Sequence, residues 1–269
     1  MGVAGQTDLH YELAGQGPPV VLLHAGIADS RMWEPQWRTF PPQHRVDRYD
    51  MRGFGESPAA TGSFSHARDL IDLLDRLALG PAALVGVSMG GAVALDVTIG
   101  RPDLVSALVL VGSGLRGHEF SAESEAGWAE EEAALERGDL DAAVELNLRM
   151  WLDGPHRSPE EVDPDVRQRV GEMQRRAFEL WQSGDHEATL EPLDPDWQTR
   201  LGEIRVPTLI VVGELDRPEM HEIADRLETE IPNTRRAVIE GTAHVPSMER
   251  PAEFDELVLG FLAATQEPA

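Results

Sequence analysis

The sequence predicts an α/β fold, with a mostly parallel central sheet flanked by helices and a helical insertion. Three observations carry this. Short β-branched runs alternate with longer segments of helical spacing, as parallel strands joined by crossover helices require. Several of those runs are continuously apolar, the mark of strands buried on both faces. One long stretch, 116–203, contains no strand run.

In chain order, 7–13 alternates polar and apolar residues and predicts an edge strand, followed by a turn at Gly15-Gln16-Gly17-Pro18. Pro19–Leu23 is a buried strand and Arg45–Tyr49 the next, running into the glycine-rich turn Asp50-Met51-Arg52-Gly53-Phe54-Gly55-Glu56-Ser57. Residues 64–79 place Leu70, Leu73, Leu74 and Leu77 at helical spacing and stop at Gly80-Pro81. Ala82–Val87 is a further buried strand, 89–99 a helix closed by Gly100-Arg101-Pro102, and Val105–Val111 a strand. The stretch 116–203 then holds 23 acidic residues against 9 arginines and four of the six tryptophans (Trp128, Trp151, Trp181, Trp197). Prolines at 155, 159, 164, 192 and 195 divide it into short helices. Strands return at 207–212 and 235–240, with helices over 218–230 and 252–263. The expected division is a core of 1–114 and 204–269 carrying an insertion, 115–203.

Composition narrows the chemistry. The chain has 269 residues, 41% hydrophobic and 26% charged, ordinary values for a globular protein with a sizeable core. No apolar run approaches the roughly 18 residues of a membrane span. The first eight residues lack a basic residue followed by an apolar stretch, so no secretory leader is expected and the reading is cytoplasmic. There is no cysteine, which excludes disulfides, thiolate metal sites and cysteine nucleophiles. There is no lysine either, which excludes Schiff-base chemistry. A net charge of −25 argues against nucleic acid or an anionic membrane as partner. The expected partner is a small molecule, with no cofactor and no metal, and a homo-oligomer is left open.

Gly86-Val87-Ser88-Met89-Gly90-Gly91 is a G-x-S-x-G pattern with a buried strand before it and a small-residue helix after it. A serine on so sharp a turn takes strained backbone angles, and the glycines are there because a Cβ would clash. The turn raises the Ser88 hydroxyl above the C-terminal edge of the sheet, where open α/β sheets bind ligands. A serine hydroxyl needs a base. Of nine histidines, His244 follows the last predicted strand and so shares that edge. His118, His156 and His186 fall in the insertion, His44, His66 and His221 on surface-like segments, and His10 on the first strand, while His24 is expected to shape its loop. A carboxylate must hold the base. The loop 213–218 offers Asp216, favoured as deeper in the loop, with Glu214 as the fallback. An oxyanion needs two donors, expected from the amides of Met89 and Ile27, with Gly26 turning the chain.

These segments together resemble the α/β-hydrolase superfamily. The matching elements are His24-Ala25-Gly26, the 50–57 turn, the Ser88 elbow, Gly213 to Asp216, and His244 followed by Pro246 and Glu249-Arg250-Pro251. The resemblance spans 7–114 and 204–263 and is nearest to bacterial carboxylesterases and 3-oxoadipate enol-lactone hydrolases. Ala25 departs from it, standing where many relatives carry a second glycine. The resemblance implies an α/β-hydrolase fold, with the insertion as a lid over the nucleophile. The expected activity is serine hydrolysis of a carboxylic ester or lactone through an acyl-enzyme. The same scaffold also serves a perhydrolase, a C–C bond hydrolase, a peptidase or a silent ligand receptor. Gly26, Trp151 and Val245 are the expected substrate contacts. Arg149, Arg157 and Arg217 are candidate counter-charges for a substrate, with the solvated surface the favoured place for each.

Overall fold

A computed structural model describes residues 8–266. Thr7, and the segment on which the absence of a leader was read, lie outside the described residues save Asp8. The chain runs through β1 (Tyr11–Ala14), β2 (Pro19–Leu23), α1 (Gln36–Thr39), β3 (Arg45–Tyr49), β4 (Ser63–Phe64), α2 (His66–Leu77), β5 (Ala82–Val87), α3 (Met89–Gly100) and β6 (Val105–Val111). There follow α4 (Ala122–Glu136), α5 (Leu140–Asn147), a π-helical turn over Leu148–Asp153, α6 (Pro164–Ser183) and β7 (Thr189–Leu190). The chain ends through β8 (Thr208–Gly213), α7 (Pro218–Glu230), β9 (Thr234–Ile239), α8 (Pro246–Glu249) and α9 (Pro251–Gln266).

Seven strands form the main sheet in the order β1-β3-β2-β5-β6-β8-β9. Only β1, at the edge, runs antiparallel, and its partner is β3. The order reverses between β2 and β5, so the crevice above their C-terminal ends is the place where such a sheet opens to a ligand. All six residues of β5 are buried. That explains its unbroken apolar sequence, because helices cover both faces, and each Val or Leu so buried contributes about 1.5–3 kcal/mol.

Four expectations are corrected. The helix read over 64–79 begins only at His66, because the Ser65 side chain caps it by accepting from Arg68 N–H. The residues before the cap, Ser63–Phe64, pair in parallel with Thr189–Leu190, so the insertion does contain a strand. Two-residue strands carry no periodicity, and their partners lie far apart in the chain. The insertion is not only short helices: α6 runs for 20 residues with Pro164 in its first turn, where a missing N–H starts a helix instead of breaking one. Finally, several polar residues expected at the surface are inside. His44 and His66 are buried. Arg157 donates to the carbonyls of Leu152, Asp153 and Gly241 and pairs with Glu249 at 2.5 Å. Arg217, also buried, donates to the Ser124 hydroxyl at 2.9 Å. Both arginines tie the insertion to the sheet; Arg149 stays exposed, paired with Glu145. Among the described residues no helix is long and apolar enough to cross a membrane.

Candidate active site

Ser88 sits between β5 and α3 with φ +52° and ψ −112°, a left-handed-side conformation rare for a residue with a side chain. Its neighbours permit it. A Cβ at Gly86 would run into the Gly90 carbonyl, and one at Gly90 would stand 2.5 Å from the Leu23 carbonyl. The turn is anchored by Ser88 N–H donating to Val111 O at 2.9 Å, while Ser88 O accepts from Gly114 and Ala92. Met89 is the first residue of α3, so its amide has no acceptor within the helix. Ile27, in the loop after β2, likewise donates to no main-chain group among the described residues.

Behind that loop lies His24. Its Nδ1 donates to Ala25 O at 2.8 Å and its Nε2 accepts from Met51 N–H at 2.9 Å, so both nitrogens are committed to holding the loop, as the sequence suggested. Burial lowers its pKa and keeps it neutral. Asp50 braces the same corner, its carboxylate accepting from Ser30 and Glu56 amides. Gly55, with φ +54°, leaves the space that this carboxylate fills.

His244 follows β9 and Asp216 follows β8, and the two meet. Asp216 Oδ2 lies 2.9 Å from His244 Nδ1, and both side chains are 1% exposed. Asp216 Oδ1 also accepts from Arg217 N–H at 2.8 Å, which fixes the carboxylate. Glu214 is exposed and turned away, its carboxylate accepting from Gly241 N–H. Gly112, at φ +45°, lets the chain pass this pair: a Cβ there would stand 3.1 Å from Asp216 Oδ2 and 3.2 Å from His244 Nδ1. The Trp151 ring covers the imidazole, with centroids 4.5 Å apart. The Ser88 hydroxyl and His244 Nε2 have no hydrogen-bond partner among the described residues, in each other or elsewhere.

A cavity of about 560 Å³ opens over Ser88. Of the expected residues, Gly26, Ile27, Ser88, Met89 and Trp151 line it. Val245 does not: it is wholly buried at the start of α8, so its expected substrate contact is corrected. Of the four tryptophans of the insertion, Trp151 and the exposed Trp181 line the cavity, Trp128 packs behind Trp151, and Trp197 is buried near α3.

The sequence reading missed Glu131, Asn147 and Gln174, which line the same cavity, and His66, which burial pushes down to about 3. A signal existed for two of these. Asn147 stands four residues before Trp151, on the helical face it shares with Ala143 and Trp151, and Gln174 interrupts the buried stripe of Val170, Met173, Ala177 and Phe178. Among the described residues no cluster of three or more His, Cys, Asp or Glu is arranged to hold a metal.

Known proteins resemble this arrangement along the whole chain. A candidate carbamate hydrolase, RutD, of Variovorax paradoxus is 31% identical over 270 residues, covering 97% of this chain and 98% of its own. The pimeloyl-[acyl-carrier protein] methyl ester esterase of Vibrio vulnificus is 28% identical, covering 95% of this chain and 98% of its own. A thermophilic esterase from Thermogutta terrifontis superposes with a TM-score of 0.83 at 27% identity, covering 99% and 97% of the two chains. The family model described as alpha/beta hydrolase fold matches residues 18–251, from β2 through His244, and the chain belongs to that family as a hydrolase.

Proposed function

We propose that this hydrolase cleaves a carboxylic ester or lactone with Ser88 as nucleophile, passing through an acyl-enzyme. One observation carries the reading. A serine held at φ +52° faces a cavity together with two amides that lack acceptors, beside a buried histidine already paired to a carboxylate. In this reading the Nδ1–H of His244 donates to Asp216, which leaves the Nε2 lone pair free to accept a proton. Nε2 takes the Ser88 proton as Oγ adds to the substrate carbonyl, and the Ile27 and Met89 amides stabilise the oxyanion. The protonated imidazole then gives its proton to the leaving oxygen, which departs as an alcohol from an ester and stays on the acyl chain as a hydroxyl from a lactone. Water enters, loses a proton to Nε2 and adds to the acyl carbonyl; collapse returns the proton to Ser88 and frees the acid. The hydroxyl–imidazole link closes as substrate binds, since such contacts are often loose in an empty site.

The insertion, 115–203, serves as a lid in this reading: helices α4 to α6 roof the cavity and exclude water, which strengthens the oxyanion contacts. Support for esters comes from the named esterases above, and for lactones from Est816, described as an N-acyl homoserine lactone degrading enzyme, at 25% identity and TM-score 0.72. A fluorophosphonate probe tests the reading. It labels the wild-type protein and leaves Ser88→Ala unlabelled; a wild type that stays unlabelled and leaves p-nitrophenyl acetate intact makes the fold a ligand receptor instead.

A further inference from the structure

The cavity has two unlike walls. Toward the sheet it is formed by the loop after β2, Phe54 and the Ser88 elbow; toward the insertion it is mostly apolar, with Asp185 and His186 at the rim after α6 and three polar side chains on the helices, one from each of α4, α5 and α6. These are Glu131, Asn147 and Gln174. Asn147 and Gln174 are 5% and 4% exposed, yet Asn147 Oδ1 and Gln174 Oε1 accept no hydrogen bond from the protein. The orientation of Asn147 is set by its other end, because Nδ2 donates to Glu131 Oε2 at 2.7 Å. A buried carbonyl oxygen left without a donor is a standing cost to the fold unless something bound supplies the donor. The π-helical turn begins at the residue after Asn147, and such turns recur at functional sites.

The charges around the cavity narrow what that donor is. Among the described residues one arginine lines it, Arg52, and Asp69 holds that guanidinium through two bonds of 3.1 and 2.9 Å. His66 is kept uncharged by burial. Glu131 adds a carboxyl, itself raised in pKa by burial. His186 also lines it, but beside the carboxylate of Asp185. A substrate carboxylate under this wall would meet the carboxyl groups of Glu131 and Asp185 and no cationic side chain without an acidic neighbour, whereas a neutral N–H or O–H would meet oxygens that lack donors. We infer that Asn147 and Gln174, with Glu131 orienting Asn147, form an acceptor subsite that selects esters or lactones carrying a neutral N–H or O–H donor on the part lying under the insertion. The inference rests on the reading of Ser88 as an ester nucleophile.

Matched substrates test it. Methyl 4-acetamidobutanoate and methyl 6-acetamidohexanoate are compared with methyl 6-oxoheptanoate and methyl 8-oxononanoate, in which a methylene replaces the N–H. Methyl 6-hydroxyhexanoate is compared with methyl 6-fluorohexanoate. The donor-bearing member of at least one pair is expected to have a kcat/KM about tenfold or more higher, because a site built to hydrogen-bond a group discriminates against the analogue lacking it. Preference in the amide pairs names an amide as source, and preference in the alcohol pair a hydroxyl. Gln174→Met and Asn147→Leu are expected to bring the ratio to within about threefold of one. A wild-type ratio near one in every pair overturns the subsite, whether or not the variants fold. Binding is read separately from turnover, as the rise in Tm given by millimolar N-hexylacetamide against nonan-2-one. A larger rise with the amide supports the subsite, and equal rises together with a kcat/KM ratio near one in the alcohol pair overturn it. A protein that binds the amide but leaves p-nitrophenyl acetate intact defeats the nucleophile reading alone.

Discussion

His24 and His244 both lie just past the C-terminal end of a strand in the same sheet, and both are buried, yet their rings are held in opposite ways. His24 uses both nitrogens internally, donating to Ala25 O and accepting from Met51 N–H. His244 commits one nitrogen to Asp216 and keeps the other without a partner among the described residues. A ring with both nitrogens bonded is a fixed brace with no site for a proton to enter; a ring anchored at one end by a carboxylate has its tautomer and orientation fixed and its other nitrogen left to accept a proton. Location on the sheet edge therefore does not separate a structural histidine from a chemical one. The count of committed nitrogens does.

Substitution at the two rings breaks or sharpens this contrast. The largest expected effect is on turnover: His244→Ala and Ser88→Ala each lower kcat by about 10⁴-fold or more while Tm moves little, read by steady-state ester hydrolysis and thermal melting. Activity retained in His244→Ala would remove the proposed base. Asp216→Asn comes next, at about 10³–10⁴-fold, because an amide in place of the carboxylate no longer accepts the Nδ1–H or stabilises the imidazolium. His24→Ala is expected to show the reverse balance. It leaves the buried Met51 amide unpaired, at about 1–3 kcal/mol, and takes one of the two donors from Ala25 O, which keeps the Ala28 N–H. Tm therefore falls by several degrees while kcat drops only about tenfold through a looser Ile27 loop. Equal losses of kcat in the two histidine variants would erase the distinction.

The smallest expected effect lies beside Asp216, where the insertion is fastened to the sheet. Glu219 accepts from the hydroxyls of Ser121 and Ser124 at 2.5 and 2.6 Å. Burial opposes its ionisation but is outweighed by these donors, which hold its carboxyl down at about 2, below the 4.5 of the free group. A depressed acid stabilises the fold fully above its unfolded pKa and loses that contribution as pH falls. Thermal melting should therefore show a loss of a few degrees between about pH 4.5 and 2 that Glu219→Gln lacks. A variant with the same acid profile as the wild type would exclude Glu219 as its source.

Much of the core was legible because local rules suffice there. The strands Pro19–Leu23, Ala82–Val87 and Val105–Val111 agree with their expected bounds residue for residue, since burial on both faces favours an almost unbroken apolar sequence, broken only where Ser106 is exposed. The Ser88 elbow was legible because its backbone conformation demands glycine at Gly86 and Gly90. Elsewhere a single segment holds too little information. Ser63–Phe64 and Thr189–Leu190 are strands only because each finds the other. Arg157 and Arg217 read as surface residues because an arginine goes inside only when acceptors wait for it. Those acceptors lie in other segments, such as Gly241 and Glu249 for Arg157 and Ser124 for Arg217.

The sequence by itself determined the order and type of the main-sheet strands, the elbow, and the two loops that supply Asp216 and His244. Each of these follows from steric limits acting over a few neighbouring residues. Tertiary structure decided that Asp216, the favoured of the two loop carboxylates, meets the imidazole, that Trp151 lies over that ring, and that Asn147 and Gln174, at the cavity wall, keep carbonyl oxygens without a donor. Those outcomes depend on how segments far apart in the chain pack together, where angstrom-scale geometry decides which polar atom finds a partner and which is left for a ligand.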